Sequence, residues 1–317
     1  MKTSVIGFPR IGKERELKFA EEKYFAKEIS QDELYETAAK LREYGWKKQK
    51  DAGIDFIASN DFSFYDNMLD TAVLLGAIPE RYKKLNLSPL DTYFAMAHGF
   101  QGKEGDVKAL AMKKWFNTNY HYIVPELENI KLDCNETKIL EEFNQAKAQG
   151  IQTVPTVIGP YTFLRLASRT GKKSLEDFAK EAAVSYSKLI QSLVRTGAEW
   201  IALQEPALVL DMDEKKISLF SLIYRQILEQ KHGAKINLQT YFGDIRDCYS
   251  QVTALDFDAI SLDFTEGRLT LDLVKKYGFP KGKILFAGII NGKNIWRADY
   301  SKKAELIEEI KKSTQNI

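Results

Sequence analysis

The sequence predicts an α/β protein of the (β/α)8, TIM-type barrel class, and three observations carry that expectation. Five short apolar runs, Val154 to Gly159, Trp200 to Gln204, Ile236 to Tyr241, Ala259 to Asp263 and Ile284 to Ile290, recur with helix-length segments between them. Their apolarity is continuous rather than alternating, which marks strands covered on both faces, as in a parallel sheet. Polar residues collect just after these runs, where a barrel carries its functional mouth. No Pro-, Ser- or Gly-rich linker, low-complexity stretch or internal repeat divides the 317 residues, so residues 1–317 are expected to form one domain.

In chain order, Val5 to Phe8 reads as the first strand. It stops at a Gly-Phe-Pro turn, and a charged helix start comes next that carries Arg15 and Lys18. Residues three apart share a helix face, so both cations point the same way, beside backbone N–H groups that also attract anions. Ser30 and Glu33 form a capping box for a helix running to about Lys50, and Phe56 to Ser59 reads as the second strand. Between Phe62 and Ile151 the rhythm is irregular, and an aromatic segment, Trp115 to Pro125, reads as part of a long mouth insertion. Counting that segment as a strand gives eight strands; treating it as insertion gives seven. The clearest helix runs from Ser174 to Arg195. Ser174 and Asp177 suit its start, Tyr186, Leu189, Ile190, Leu193 and Val194 recur at helical spacing, and Gly197 suits its stop.

Composition excludes several classes. An apolar fraction of 44%, a charged fraction of 28% and a net charge of +2 suit a globular enzyme and ask for neither nucleic acid nor membrane. The N-terminal apolar run is broken by Gly7 and Pro9, which argues against a signal peptide or transmembrane span. Cys134 and Cys248 lie far apart with no CxxC, the pattern of free thiols in a reducing cytoplasm. His98, His121 and His232 have no metal-ligand spacing, and there is neither a Gly-rich phosphate loop nor a Gly-x-Ser-x-Gly elbow.

The strand ends carry Asp61, Asp66, Gln204-Glu205-Pro206, Tyr241, Asp263 and Asn291. This acidic, amide-lined ring suits a metal, acid–base chemistry or a polar heterocycle; equally, Glu205 and Asp263 suit the capping of helix starts and the holding of loops. Lys113-Lys114 before Trp115 is a second cationic point, next to rings able to stack on a planar ligand or to build a core.

Taken together, four blocks resemble cobalamin-independent methionine synthase. They are Gly7-Phe8-Pro9-Arg10 with Arg15-Glu16-Leu17-Lys18, the stretch Lys114 to Tyr122, Gln204 to Leu208, and Ala287 to Arg297. They correspond to the family's N-terminal barrel only. The resemblance implies that a second barrel outside this chain carries the zinc ligands and the homocysteine site, and that this barrel is a truncated piece lacking its last strand. It implies a reaction in which the methyl of 5-methyltetrahydrofolate polyglutamate passes to homocysteine, with zinc making the thiolate. Arg15, Glu16, Leu17, Lys18 and Lys114 are then expected to hold the folate's polyglutamate tail, with no catalytic residue and no metal in this chain. Each exposed ion pair gives only about 0.2–1 kcal/mol, so several are needed together. Two other readings stand beside this one: a stand-alone barrel lyase or hydrolase using Glu205, Asp263 and Asp61, and a non-catalytic interaction module.

Overall fold

In the computed structural model, which describes residues 1–314 and 317, six parallel strands form one sheet. They are β1 (Ile57–Ser59), β2 (Thr153–Ile158), β3 (Trp200–Gln204), β4 (Lys235–Gln239), β5 (Ala259–Asp263) and β6 (Ile284–Gly288), and they lie side by side in chain order. The register pairs Ala58 with Val154, Val157 with Leu203, Leu203 with Leu238, Leu238 with Ile260 and Ile260 with Leu285. The sheet curls on itself: Phe56, beside β1, meets Trp200 of β3 and Phe286 of β6 with ring centroids 5.5 and 5.1 Å apart. The result is an unclosed TIM-type barrel around a cavity of about 2130 Å³.

The expected strand Val5 to Phe8 does not form; the one pairing nearby is a single parallel bridge just before it, Ser4 to Phe56. Ladder pairing does not hold this segment; two aspartates do. Asp55 accepts the Thr3 amide at 2.8 Å and Asp61 accepts the Phe8 amide at 2.8 Å, while Val5 and Ile6 between them remain 37% and 50% exposed. Between this segment and the free edge of β6 the sheet stays open, and among the described residues an eighth strand is lacking. The aromatic segment does not fill the gap. Met112–Lys114 and His121–Ile123 form an antiparallel hairpin outside the main sheet, closed at its tip by the Trp115 amide donating to Tyr120 O at 2.8 Å.

Helices α1 (Glu16–Phe25) and α2 (Gln31–Asp51) come after the first segment, and the capping box of Ser30 and Glu33 forms as expected. Trp46 of α2 donates its indole N–H to Ala58 O at 3.0 Å, locking the helix onto β1. The helix Leu175–Thr196 has Ser174 as N-cap and ends at Gly197, where φ of 102° is a conformation that glycine adopts freely. Its Phe178, Ala182, Tyr186, Leu189, Ile190 and Leu193 pack in one core with Ile201, Leu203, Ile236, Leu238, Ile260 and Leu262 of the sheet. The insertion supplies most of a smaller core around Leu69, Tyr82, Leu90, Phe94 and Met96, completed by Ala20 of α1 and Leu34 of α2.

Candidate ligand-binding site

The turn after the first segment delivers α1 with its cations outward. Arg15 is the N-cap, in the left-handed region at φ 63° and ψ 36°, and its side chain makes no capping hydrogen bond. A non-glycine residue there is strained by about 1–2 kcal/mol, so the surrounding turn must impose it. It does: the Arg15 amide donates to Gly12 O at 3.3 Å, the Leu17 amide to Ile11 O at 3.2 Å, and Glu16 Oε2 accepts the Glu14 amide at 2.9 Å. Arg15 and Lys18 are both exposed, although Arg15 stands just before the helix, where helix spacing does not govern it. Lys18 pairs with Glu22 at 3.2 Å, whereas Arg15 makes no ion pair among the described residues.

Two of the expected contacts change character. Leu17 is 1% exposed and packs with Ala38 and Phe62, because position 17 falls on the opposite side of the helix from 15 and 18. Its side chain therefore anchors the helix and cannot reach a ligand. Glu16 spends its carboxylate on the turn and would repel an anion.

Lys114 lies at the end of one hairpin strand, exposed and opposite His121. Tyr65 is the common neighbour of the two cationic regions: its carbonyl accepts from the Arg10 guanidinium, and its hydroxyl lies 3.9 Å from Met112 Sδ. Arg15, Lys18 and Lys114 sit outside the wall of the barrel cavity, which Trp115 does line. Beyond Lys114 the hairpin tip is tied to the barrel rim. Asn117 Nδ2 donates to Glu266 Oε2 at 2.7 Å, Lys293 Nζ reaches Asn117 Oδ1 at 2.9 Å and Glu266 Oε1 at 2.8 Å, and Phe116 lies 5.4 Å from Phe242. Sequence patterning gave no hint of this tie, although Asn117 and Lys293 both belong to the family-like blocks.

The mouth carboxylates hold loops. Glu205 is fully buried; its Oε1 accepts the Tyr161 amide at 2.9 Å and the Tyr224 hydroxyl at 2.6 Å, and its Oε2 the Thr162 amide at 2.6 Å. Burial, offset by those donors, pushes its pKa up to about 7. Gly159 passes so close that an added Cβ would lie 2.2 Å from Glu205 Oε1. Asp263 accepts the Phe242 amide at 3.0 Å and, on its other oxygen, Thr265 N at 2.7 Å, Thr265 Oγ1 at 2.8 Å and Glu266 N at 3.0 Å. Asp66 caps the helix Asn67–Leu74 through Leu69 N at 2.8 Å and holds the hairpin through Ile123 N at 2.8 Å; burial raises its pKa to about 7. Burial also raises Asp61, to about 6. With their oxygens taken largely by backbone amides, Glu205 and Asp263 act as loop holders, whereas Asp61, which lines the cavity, spends one oxygen on the Phe8 amide.

The donor set does not fit zinc. Among the described residues no group of three or more His, Cys, Asp or Glu is placed to hold a metal ion. Burial pushes both Cys134 and Cys248 up to about 12, keeping them as thiols, and His98 is packed among the rings of Phe25, Tyr65 and Phe94. Also among the described residues, no helix is long and apolar enough to cross a membrane.

Residues 2–315 match the family described as cobalamin-independent synthase, N-terminal domain. The chain is 54% identical over 311 residues to the 5-methyltetrahydropteroyltriglutamate–homocysteine methyltransferase of Lactococcus lactis subsp. cremoris strain MG1363, covering 98% of this chain and 41% of that one. It is 51% identical over 319 residues to the enzyme of the same name from Campylobacter jejuni subsp. doylei, covering 100% of this chain and 42% of that one. Among solved structures, a B12-independent methionine synthase from Shewanella sp. W3-18-1 superimposes with a TM-score of 0.69 at 15% identity, over 90% of this chain and 80% of that one. A protein from Listeria monocytogenes described as a vitamin-B12-independent methionine synthase gives 0.68 at 17% identity, over 99% and 90%. Likeness at such identities speaks for the fold alone. The chain spans about two-fifths of the length of the curated relatives it matches. It belongs to the cobalamin-independent methionine synthase family, as an N-terminal domain of that family.

Proposed function

We propose that this chain is the folate-tail-binding half, residues 1–317, of a two-barrel methyltransferase. The whole protein moves the methyl group of 5-methyltetrahydrofolate polyglutamate to homocysteine and forms methionine. This barrel holds the glutamyl tail and supports a second barrel, which binds homocysteine and supplies the zinc that makes its thiolate. The two thiols of this half, both free, suit a cytoplasmic setting.

The observation that carries the reading is the helix start at Arg15. A strained N-cap presents an arginine that has no counter-ion among the described residues, three positions before the exposed Lys18, at a helix start that no side chain caps. Cations at a helix N-terminus attract carboxylates spaced along a chain. Lys114 adds a third cation on the hairpin whose Met112 meets the Tyr65 hydroxyl. Leu17 contributes by seating the helix and Glu16 by closing the turn.

Binding tests this directly. Calorimetric titration of the chain with 5-methyltetrahydrofolate bearing one or three glutamyl residues should show tighter binding of the longer tail, with the gain fading as salt rises. Equal affinities would refute the tail-binding role.

A further inference from the structure

Phe8, Arg10 and Leu17, spread along the stretch that leads into the cationic helix start, are all gripped by one short loop, Asp61 to Tyr65, at the end of β1. Asp61 Oδ2 accepts the Phe8 amide at 2.8 Å, Phe62 packs against Leu17, and the Tyr65 carbonyl takes the Arg10 guanidinium. The passage over Asp61 is tight, for a Cβ added at Gly7 would stand 3.0 Å from Asp61 Oδ2. The loop is itself fixed from below. Lys138 Nζ donates to Asn60 Oδ1 and to Phe62 O, each at 2.8 Å, so both neighbours of Asp61 are pinned to one ammonium. That ammonium is held in turn by Glu142 at 3.0 Å and Asp70 at 3.3 Å, and Asn60 Nδ2 bonds Thr156 O of β2 at 2.8 Å. Between Phe8 and the cations the chain is tied again at Arg10 and at Leu17, and its turn is closed by Arg15 N to Gly12 O and Leu17 N to Ile11 O.

We infer that Asp61 is a positioning residue for the anionic ligand: by holding the Phe8 amide it sets where the Arg15 and Lys18 charges stand. It touches no ligand itself. This rests on the tail-binding reading above, and deepens it by adding a residue that the cationic motif does not contain. An exposed pair of cations binds a flexible polyanion only weakly if each must be ordered on contact, so holding the backbone beforehand removes part of that cost.

The test compares Asp61→Ala, Asp61→Asn and the unaltered chain in titrations with mono- and triglutamyl 5-methyltetrahydrofolate at low salt, alongside amide hydrogen exchange. The alanine variant should lose about fivefold or more of triglutamate affinity and less than twofold of monoglutamate affinity, an order-of-magnitude expectation for one lost charge-assisted hydrogen bond. Amides of residues 8–18 should exchange faster while the strands keep their protection. Asp61→Asn retains an oxygen acceptor for the Phe8 amide and should recover affinity to within about twofold, because the geometry rather than the charge is what matters. A merely structural role would lower both ligands alike and would not be rescued by asparagine; either result overturns the inference. If the alanine variant does not fold, Gly7→Ala replaces it, since its Cβ presses on the same oxygen; a Gly7→Ala chain with unchanged tail preference overturns the inference too. The unaltered chain showing no preference for the longer tail would sink the tail-binding reading and this one together, whereas a preference that survives Asp61→Ala sinks the positioning role alone.

Discussion

Glu22→Gln should make the protein bind the long-tailed folate more tightly, although it deletes an ion pair seen in the structure. Glu22 is the partner of Lys18, 3.2 Å from its ammonium one helical turn away, with the two side chains 57% and 46% exposed. A pair of that exposure and spacing contributes about 0.3–0.5 kcal/mol. An incoming glutamyl carboxylate must compete with Glu22 for the ammonium and is also repelled by its charge, which at a few ångströms in water adds roughly another few tenths of a kcal/mol. Removing the charge releases both terms, about 0.5–1 kcal/mol, or roughly two- to fivefold in affinity for the triglutamate. The same change should cost the helix about 0.3–0.5 kcal/mol. Calorimetric or fluorescence titration reads the affinity and thermal unfolding the stability. Repeating the titration near 1 M salt, where screening acts over about 3 Å, should abolish the gain. Unchanged or weaker triglutamate binding at low salt would show that Lys18 does not meet the tail, or that Glu22 is needed to orient it.

Further expectations rest on the same structure. Lys18→Ala or Lys114→Ala should each weaken triglutamate binding by about 0.2–1 kcal/mol and leave the monoglutamate nearly untouched; equal loss on both ligands would assign these lysines a structural role. Tyr224→Phe removes a donor from the buried carboxylate of Glu205. The folded pKa of Glu205, about 7, lies above its ordinary value of 4.5, so the stability carried by its protonated form is full below about 4.5 and is lost as the pH rises through 7. Because the lost donor serves the anion best, the variant should be destabilised by about 1 kcal/mol at pH 5 and about 2–3 kcal/mol at pH 8 in denaturant melts; a deficit that is flat with pH would refute the charge assignment. Finally, this chain alone, supplied with zinc, homocysteine and the triglutamyl substrate, should form no methionine, and turnover by pure protein would overturn the division of labour between the two halves.

How much the sequence disclosed depended on how the local pattern was enforced. Trp200–Gln204 and Ala259–Asp263 coincide with their expected limits because a strand buried on both faces must be apolar throughout. The run ending at Ile290 overshoots by two residues: β6 stops at Gly288, and Ile289 and Ile290 belong to the rim that holds Lys293. Val5–Phe8 has the composition of a strand but pairs with none, the one bridge lying at Ser4, for composition cannot report whether a neighbour lies alongside. The region from Phe62 to Ile151 resisted reading because its extended pieces are two or three residues long, below the length at which periodicity carries a signal. At the site, the exposure of Arg15 and Lys18 agrees with the sequence reading, but the burial of Leu17, expected there to meet the ligand, was missed because the motif does not show which side of the helix faces Ala38 and Phe62. Lys138, which holds Asn60, Phe62, Asp70 and Glu142 together, was not legible, since its partners lie as much as 78 residues away and no motif marks it.

The order of the sheet has a consequence for how the molecule comes into being. From β1 to β6 each strand lies beside the one made just before it, so during synthesis every emerging strand after β2 finds its pairing partner already exposed on the growing edge. The one long wait falls between β1 and β2, and the chain made in that interval packs a smaller core around Leu69, Phe94 and Met96 against Ala20 and Leu34 of the helices already made. Growth in one direction keeps each closure short and confines new pairing to one advancing edge, the opposite edge at β1 being met only by the Ser4 bridge. The advancing edge, once β6 has formed, is the strand Ile284–Gly288.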